Sequence, residues 1–176
     1  PVHDKQEFLA STDERFRPVN LLTGPDGGLY VVDFARGVVQ HRIYMTTWLR
    51  KQVEARGLAG PIGMGRIWRV VDEDAPVSLA SESLAAMSDL DLVGVLDGDP
   101  NGSRRDTAQR LLVERRAIAV APALREIAAD ADRPTTTRLH AMWTLDGIDS
   151  VDSALLGTLA MDGDAVVREH AARVAE

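Results

Sequence analysis

The sequence predicts an α+β chain: a small antiparallel β segment followed by an α-solenoid of repeated helix pairs. Three observations carry this. Two apolar runs, Val19 to Leu22 and Leu29 to Val32, flank the turn letters Gly24-Pro25-Asp26-Gly27-Gly28, which is the pattern of a β-hairpin. Arg105, Arg138 and Arg168, spaced by 33 and 30 residues, each stand six residues after an aspartate and open the second of two apolar-periodic segments. Between these regions, Asp72-Glu73-Asp74-Ala75-Pro76 is a charged break, dividing the chain into segments 1–75 and 76–176.

Each element follows from its letters. Residues 1 to 15 are polar except for Phe8-Leu9-Ala10, which suits a short edge strand. In the hairpin turn glycine supplies positive φ, Pro25 presets a corner and Asp26 can bond its own downstream backbone. Arg36-Gly37 makes a further turn, and Val38-Val39 opens a short extended segment. Met45, Trp48, Leu49 and Val53 recur at helical spacing, predicting an amphipathic helix over 44–56 that Gly57 stops in a left-handed conformation. Gly60 to Gly65 is a loop, and Arg66 to Val71 alternates as a half-exposed strand that rejoins the sheet of the hairpin.

From residue 84 the pattern is helical. The first helices of three pairs carry Leu92, Val93 and Leu96, then Leu124, Ile127 and Ala128, then Leu155, Leu156 and Leu159. The second helices carry Ala108, Leu111 and Leu112, then Ala141, Met142 and Leu145, then Ala171, Val174 and Ala175. A helix pair repeated three times is about the minimum that stacks into a stable repeat core. The aspartates in register with the arginines are Asp99, Asp132 and Asp162. They predict ties between neighbouring repeats, with each aspartate near a helix N-terminus where capping and negative charge are favourable.

Composition narrows the function. Aromatic residues are only 5% of the chain, so Leu, Val, Ile and Ala must fill the core. Net charge is −7; residues 1–75 hold ten basic and ten acidic side chains, residues 76–176 ten and seventeen. An acidic helical half is a poor surface for phosphate backbones, which argues against nucleic acid. No apolar run approaches the roughly 20 residues of a membrane span. The absence of cysteine excludes disulfides, thiol chemistry, Cys-ligated zinc and a C-x-x-C-H haem site within this chain. No Gly-rich phosphate loop, nucleophile elbow, H-E-x-x-H or EF-hand pattern occurs. His140 and His170 hold equivalent repeat positions, but Thr107 fills the third; two histidines are half a zinc site, and a packed or solvated pair is the simpler reading.

The stretch FRPVNLLTGPDGGLYVVDFARGVVQHR, residues 16–42, with its core G-P-D-G-x-L-Y-V-x-D, resembles a late blade of the β-propeller in bacterial quinoprotein sugar dehydrogenase-like proteins. It looks most like the large "membrane-bound dehydrogenase" proteins of planctomycete-type bacteria. Their propeller is commonly followed by HEAT-like helical repeats, which the D-x5-R-x2-A pattern resembles, and often by a c-type cytochrome. The resemblance implies a β-propeller-blade remnant over residues 7–71 and HEAT-like helix pairs over 84–176, in a C-terminal piece of a longer protein.

It implies a PQQ-dependent sugar or alcohol dehydrogenase-like parent in the periplasm or another extracytoplasmic compartment. That parent would hold PQQ, with calcium as a candidate accompanying ion, and haem c, and would pass electrons to a cytochrome c. The remaining blades would be this chain's partners. Late-blade basic side chains hold the quinone carboxylates in that family, and guanidinium is shaped for that task. The resemblance therefore offers Arg15 and Arg17 as cofactor-binding residues; the alternative is that Arg17-Pro18 fixes the start of the strand and that Asp33 satisfies turn amides. The family's catalytic histidine has no counterpart here, His41 does not take that role, and without the earlier blades this chain holds no complete cofactor pocket and no catalytic residue. A second function class stays open: a non-enzymatic HEAT-repeat interaction module.

Overall fold

The computed structural model describes residue 4 and residues 6–74 and 83–176. Mixed α+β architecture is present: among the described residues there are one three-stranded antiparallel sheet and seven α-helices. The chain divides into two compact units, Pro1–Gly24 with Gly28–Val77, and Ser78–Glu176 with Pro25–Gly27. The expected boundary at Ala75 and Pro76 lies outside the described residues.

In the first unit, β1 (Pro18–Thr23) pairs with β2 (Leu29–Asp33), and β2 pairs with β3 (Arg66–Val70), in the order β1-β2-β3. Leu21 stands opposite Val31, and Val31 opposite Trp68, so these side chains share one face; Leu22, Tyr30 and Arg69 share the other. Gly27 takes the positive φ of +81° that the turn needs. A bulge between Pro18 and Asn20 shifts the register of β1, and the Asn20 side chain accepts the amide of Leu21. Helix α1 (Thr47–Ala55) starts where Thr46 accepts the Leu49 amide and ends at Gly57, whose φ is +62°.

Two expectations for this unit need correction. Phe8 to Ala10 forms no strand, and at the end of β1 the Leu21 amide is taken by the Asn20 side chain. The helix expected over 44–56 spans only Thr47–Ala55, so buried Met45 lies before it; within α1 Val53 is buried and Trp48 is 70% exposed.

In the second unit the helices come in pairs: α2 (Asp89–Gly98) with α3 (Gly102–Glu114), α4 (Ala121–Ala129) with α5 (Thr135–Gly147), and α6 (Ser153–Ala160) with α7 (Ala165–Val174). Members of each pair pack together, α5 packs on both α3 and α7, and α4 touches α2 and α6. Their starts are written locally. Ser88 and Asp91 form a capping box, Asn101, Asp152 and Asp164 cap α3, α6 and α7, and Pro122 occupies the first turn of α4. The core runs through Leu92, Leu96, Leu112, Leu124, Met142, Leu145 and Leu159, all essentially without exposure. Of the predicted stripe, Leu111, Leu156 and Val174 are half-buried and Ala175 is exposed.

Candidate functional site

The ordered centre of the first unit is Asp33, the last residue of the middle strand, whose side chain is fully buried. One carboxylate oxygen accepts the amides of Arg17 and Ala35, each at 2.8 Å. The other accepts Arg66 Nε at 2.9 Å and the Trp68 indole at 3.1 Å. Burial would raise the pKa of this carboxyl, but the donors from Arg17, Arg66, Trp68 and Ala35 outweigh it and hold Asp33 at about 2. Arg66 also pairs with Asp13 at 3.1 Å and lies 4.9 Å from the Trp68 ring centre. One carboxylate thus joins the start of β1, the end of β2 and both ends of the Arg66–Trp68 step of β3.

Arg15 and Arg17 sit beside this knot with part of their donors given to backbone carbonyls. Arg15 Nη2 donates to the carbonyls of Gly57 and Gly60, at 2.9 and 3.0 Å. Arg17 donates through Nε to Arg36 O and through Nη2 to Gly37 O. These bonds tie the chain before β1 to the end of α1 and to the 36–37 turn. The turn is tight: a Cβ on Gly37 would stand 2.6 Å from the Leu58 carbonyl oxygen. Each guanidinium thus gives two bonds to backbone carbonyls, as the strand-fixing alternative for these residues expects.

Arg17 borders an open cleft of ≈ 520 Å³ between the 37–40 segment and α1. Its wall carries the exposed Trp48 ring, Gln40 and Gln52, and Arg56 paired with Glu14 at 2.9 Å. An apolar ring beside amides and one ion pair can bind and orient a ligand; the lining holds no Ser, Thr, Lys or His to act as nucleophile beside a base. His41 lies outside this lining and packs edge-on against Tyr44.

In the second unit the Asp–Arg pattern resolves differently at each repeat. Asp99, Asp130 and Asp162 are the equivalent turn residues, each accepting the amide two positions on, from Asn101, Asp132 and Asp164. Asp132 is therefore corrected: the α4–α5 connection, Asp130 to Pro134, is longer than the other two, which moves Asp132 past the turn and leaves its side chain exposed. Arg105 and Arg168 reach back to backbone carbonyls of Asp99 and Asp162, both at 2.6 Å, rather than to a neighbouring carboxylate. Arg138 alone of the three crosses to the next pair. It is 3% exposed, donates to Ala128 O at 3.0 Å, and forms a two-pronged ion pair with Asp162. Those bonds from Arg138, then the Asp164 amide, hold the Asp162 carboxyl below its ordinary value.

The earlier pair is tied by residues the repeat alignment missed. Arg133 in the longer connection bonds Asp97 of α2, and also Asp130. Aligning helix ends instead of arginines would have found Asp130. His140 and His170 have separate partners: His140 Nδ1 bonds Gln109 Oε1 at 2.7 Å, and His170 Nδ1 accepts the Trp143 indole at 2.9 Å. Burial, opposed only by Asp106, lowers the pKa of His140.

A family model described as "Domain of unknown function (DUF7133)" matches residues 2–74. No curated protein and no solved structure matches the chain. The matched stretch contains the whole sheet, the Asp33 knot and the cleft beside α1.

Proposed function

We propose that this chain is a structural, non-catalytic part of a longer quinoprotein sugar or alcohol dehydrogenase-like protein. Its first unit serves as a β-propeller-blade remnant, and its helix pairs as a HEAT-like α-solenoid. The carrying observation is an imbalance of burial. Among the described residues, fifteen of the nineteen exposed large apolar side chains lie in residues 8–71, whereas only four of the twenty-four buried apolar residues do. Leu21 and Trp68 are open on one face of the sheet, and Leu22 and Ile67 on the other. A sheet with apolar side chains on both faces suits a position between two further sheets. Packing of α5 against both α3 and α7 supports the stacked-pair reading of the second unit. The quinone, its calcium, the haem and cytochrome acceptor, and the extracytoplasmic setting rest on resemblance alone and concern the parent.

The second reading is a HEAT-repeat interaction module without enzymatic context. A shallow groove of ≈ 240 Å³ along α3 and α5, floored by Leu139, His140 and Trp143, favours it. The two readings separate in the full-length parent. Quinone reconstitution followed by a dye-linked dehydrogenase assay over sugars and alcohols gives activity on the first. A parent that neither carries further G-x-D-G-x-L-Y-V blades nor takes up quinone overturns it and leaves the interaction module.

A further inference from the structure

A second cleft, of ≈ 240 Å³, opens beside α1 and is lined by Arg36, Arg42 and Arg50 above a floor that includes Met45 and Val53. Both floor residues are buried. Arg50 is unusual here. Five arginines bury Nε without a hydrogen-bond partner, but Arg15, Arg105, Arg125 and Arg133 bond through other nitrogens. Arg50 has no side-chain hydrogen bond or ion pair at any nitrogen among the described residues. Arg42 likewise has none among the described residues, and Arg36 bonds through Nε to the Val38 carbonyl at 3.2 Å while its guanidinium lies 6.0 Å from the Phe34 ring centre. Among the described residues the one acid in the lining, Glu54, forms no ion pair with any of them.

The lining residues carry three arginine charges against one carboxylate, an excess of two positive charges beside one small concavity. Holding like charges together over an apolar floor costs energy unless an anion relieves it. We propose that this cleft binds a small organic anion through a terminal phosphate, whose three oxygens match three guanidinium groups. Its volume of ≈ 240 Å³ accommodates a phosphate on a short carbon chain. This site is separate from the Arg15 and Arg17 positions and does not depend on the quinone reading.

The test is titration of the 176-residue chain with glycerol 3-phosphate by calorimetry, with inorganic phosphate and malonate as comparison arms and chloride holding ionic strength constant. Saturable binding with Kd on the order of 0.1–1 mM is expected for glycerol 3-phosphate, with malonate weaker. Arg50→Gln and Arg42→Gln should each weaken it about tenfold, while Glu54→Gln strengthens it several-fold. Circular dichroism checks that each variant is folded, and because Arg42 is exposed, its replacement serves if Arg50→Gln destabilises the unit. No saturation up to about 10 mM, unchanged affinity in folded Arg42→Gln, or malonate binding equally well would overturn the proposal.

Discussion

Arg138 of α5 holds Asp162 of the α6–α7 turn with two parallel donors, one of them at 3.2 Å, across the boundary between two helix pairs. The side chains are 4% and 10% exposed, so neither can be made up by water if the other is removed. Arg138→Ala should therefore cost about 3 kcal/mol, and Asp162→Ala a similar amount. Their double mutant should lose clearly less than the sum, because the second change removes a group already stranded by the first. Asp132→Ala, at an exposed position, should stay within about 0.5 kcal/mol. Urea melts of the helical signal decide it; strict additivity of Arg138 with Asp162 would show that the pair contributes nothing.

The Asp33 knot predicts a low-pH transition of the sheet. Its folded pKa of about 2 lies below the ordinary 3.8, so its stabilisation is complete above 3.8 and is lost as pH falls towards 2. A shift of that size corresponds to about 2 kcal/mol. The Trp68 indole N–H, which donates to Asp33, reports the event directly in a nitrogen–proton spectrum. Asp33→Asn should abolish most of the acid dependence between pH 4 and 2 while lowering stability at neutral pH. A Trp68 signal indifferent to acid until the whole chain unfolds would contradict this.

The first unit should open more readily than the second. Amides of β1, an edge strand exposed along its length, should exchange faster than those of α5, which holds six buried residues. Hydrogen exchange followed by mass spectrometry checks this, and equal protection would mean that the sheet is not waiting for further strands.

Because one three-stranded sheet cannot surround a cofactor, and Arg15 and Arg17 give bonds to the Gly57, Gly60, Arg36 and Gly37 carbonyls, the isolated chain should bind PQQ weakly or not at all. Arg17→Ala should instead loosen the 36–37 turn and lower the melting temperature of the first unit. Stoichiometric quinone uptake by this chain in calorimetry, lost in Arg17→Ala, would restore the cofactor role.

Sequence alone determined whatever is decided within a few residues. Turn chemistry at Gly24 to Gly28, the stop at Gly57, the strand at 66–70 and the three helix pairs are set by local backbone preference and apolar residues, and each stands where its letters place it, although β3 does not alternate in burial. Tertiary structure decided what depends on loop length and on who reaches whom. Two more residues between α4 and α5 than between α2 and α3 move the turn carboxylate from Asp132 to Asp130. Val31 is 1% exposed although Leu21 beside it is 60% exposed, because a middle strand is covered by neighbours that an edge strand lacks. Arg15 and Arg17 read as free forks in a linear chain, and only the fold brings the carbonyls of residues 57, 60, 36 and 37 to them. Side-chain polarity is local, but the satisfaction of a hydrogen bond belongs to the whole fold.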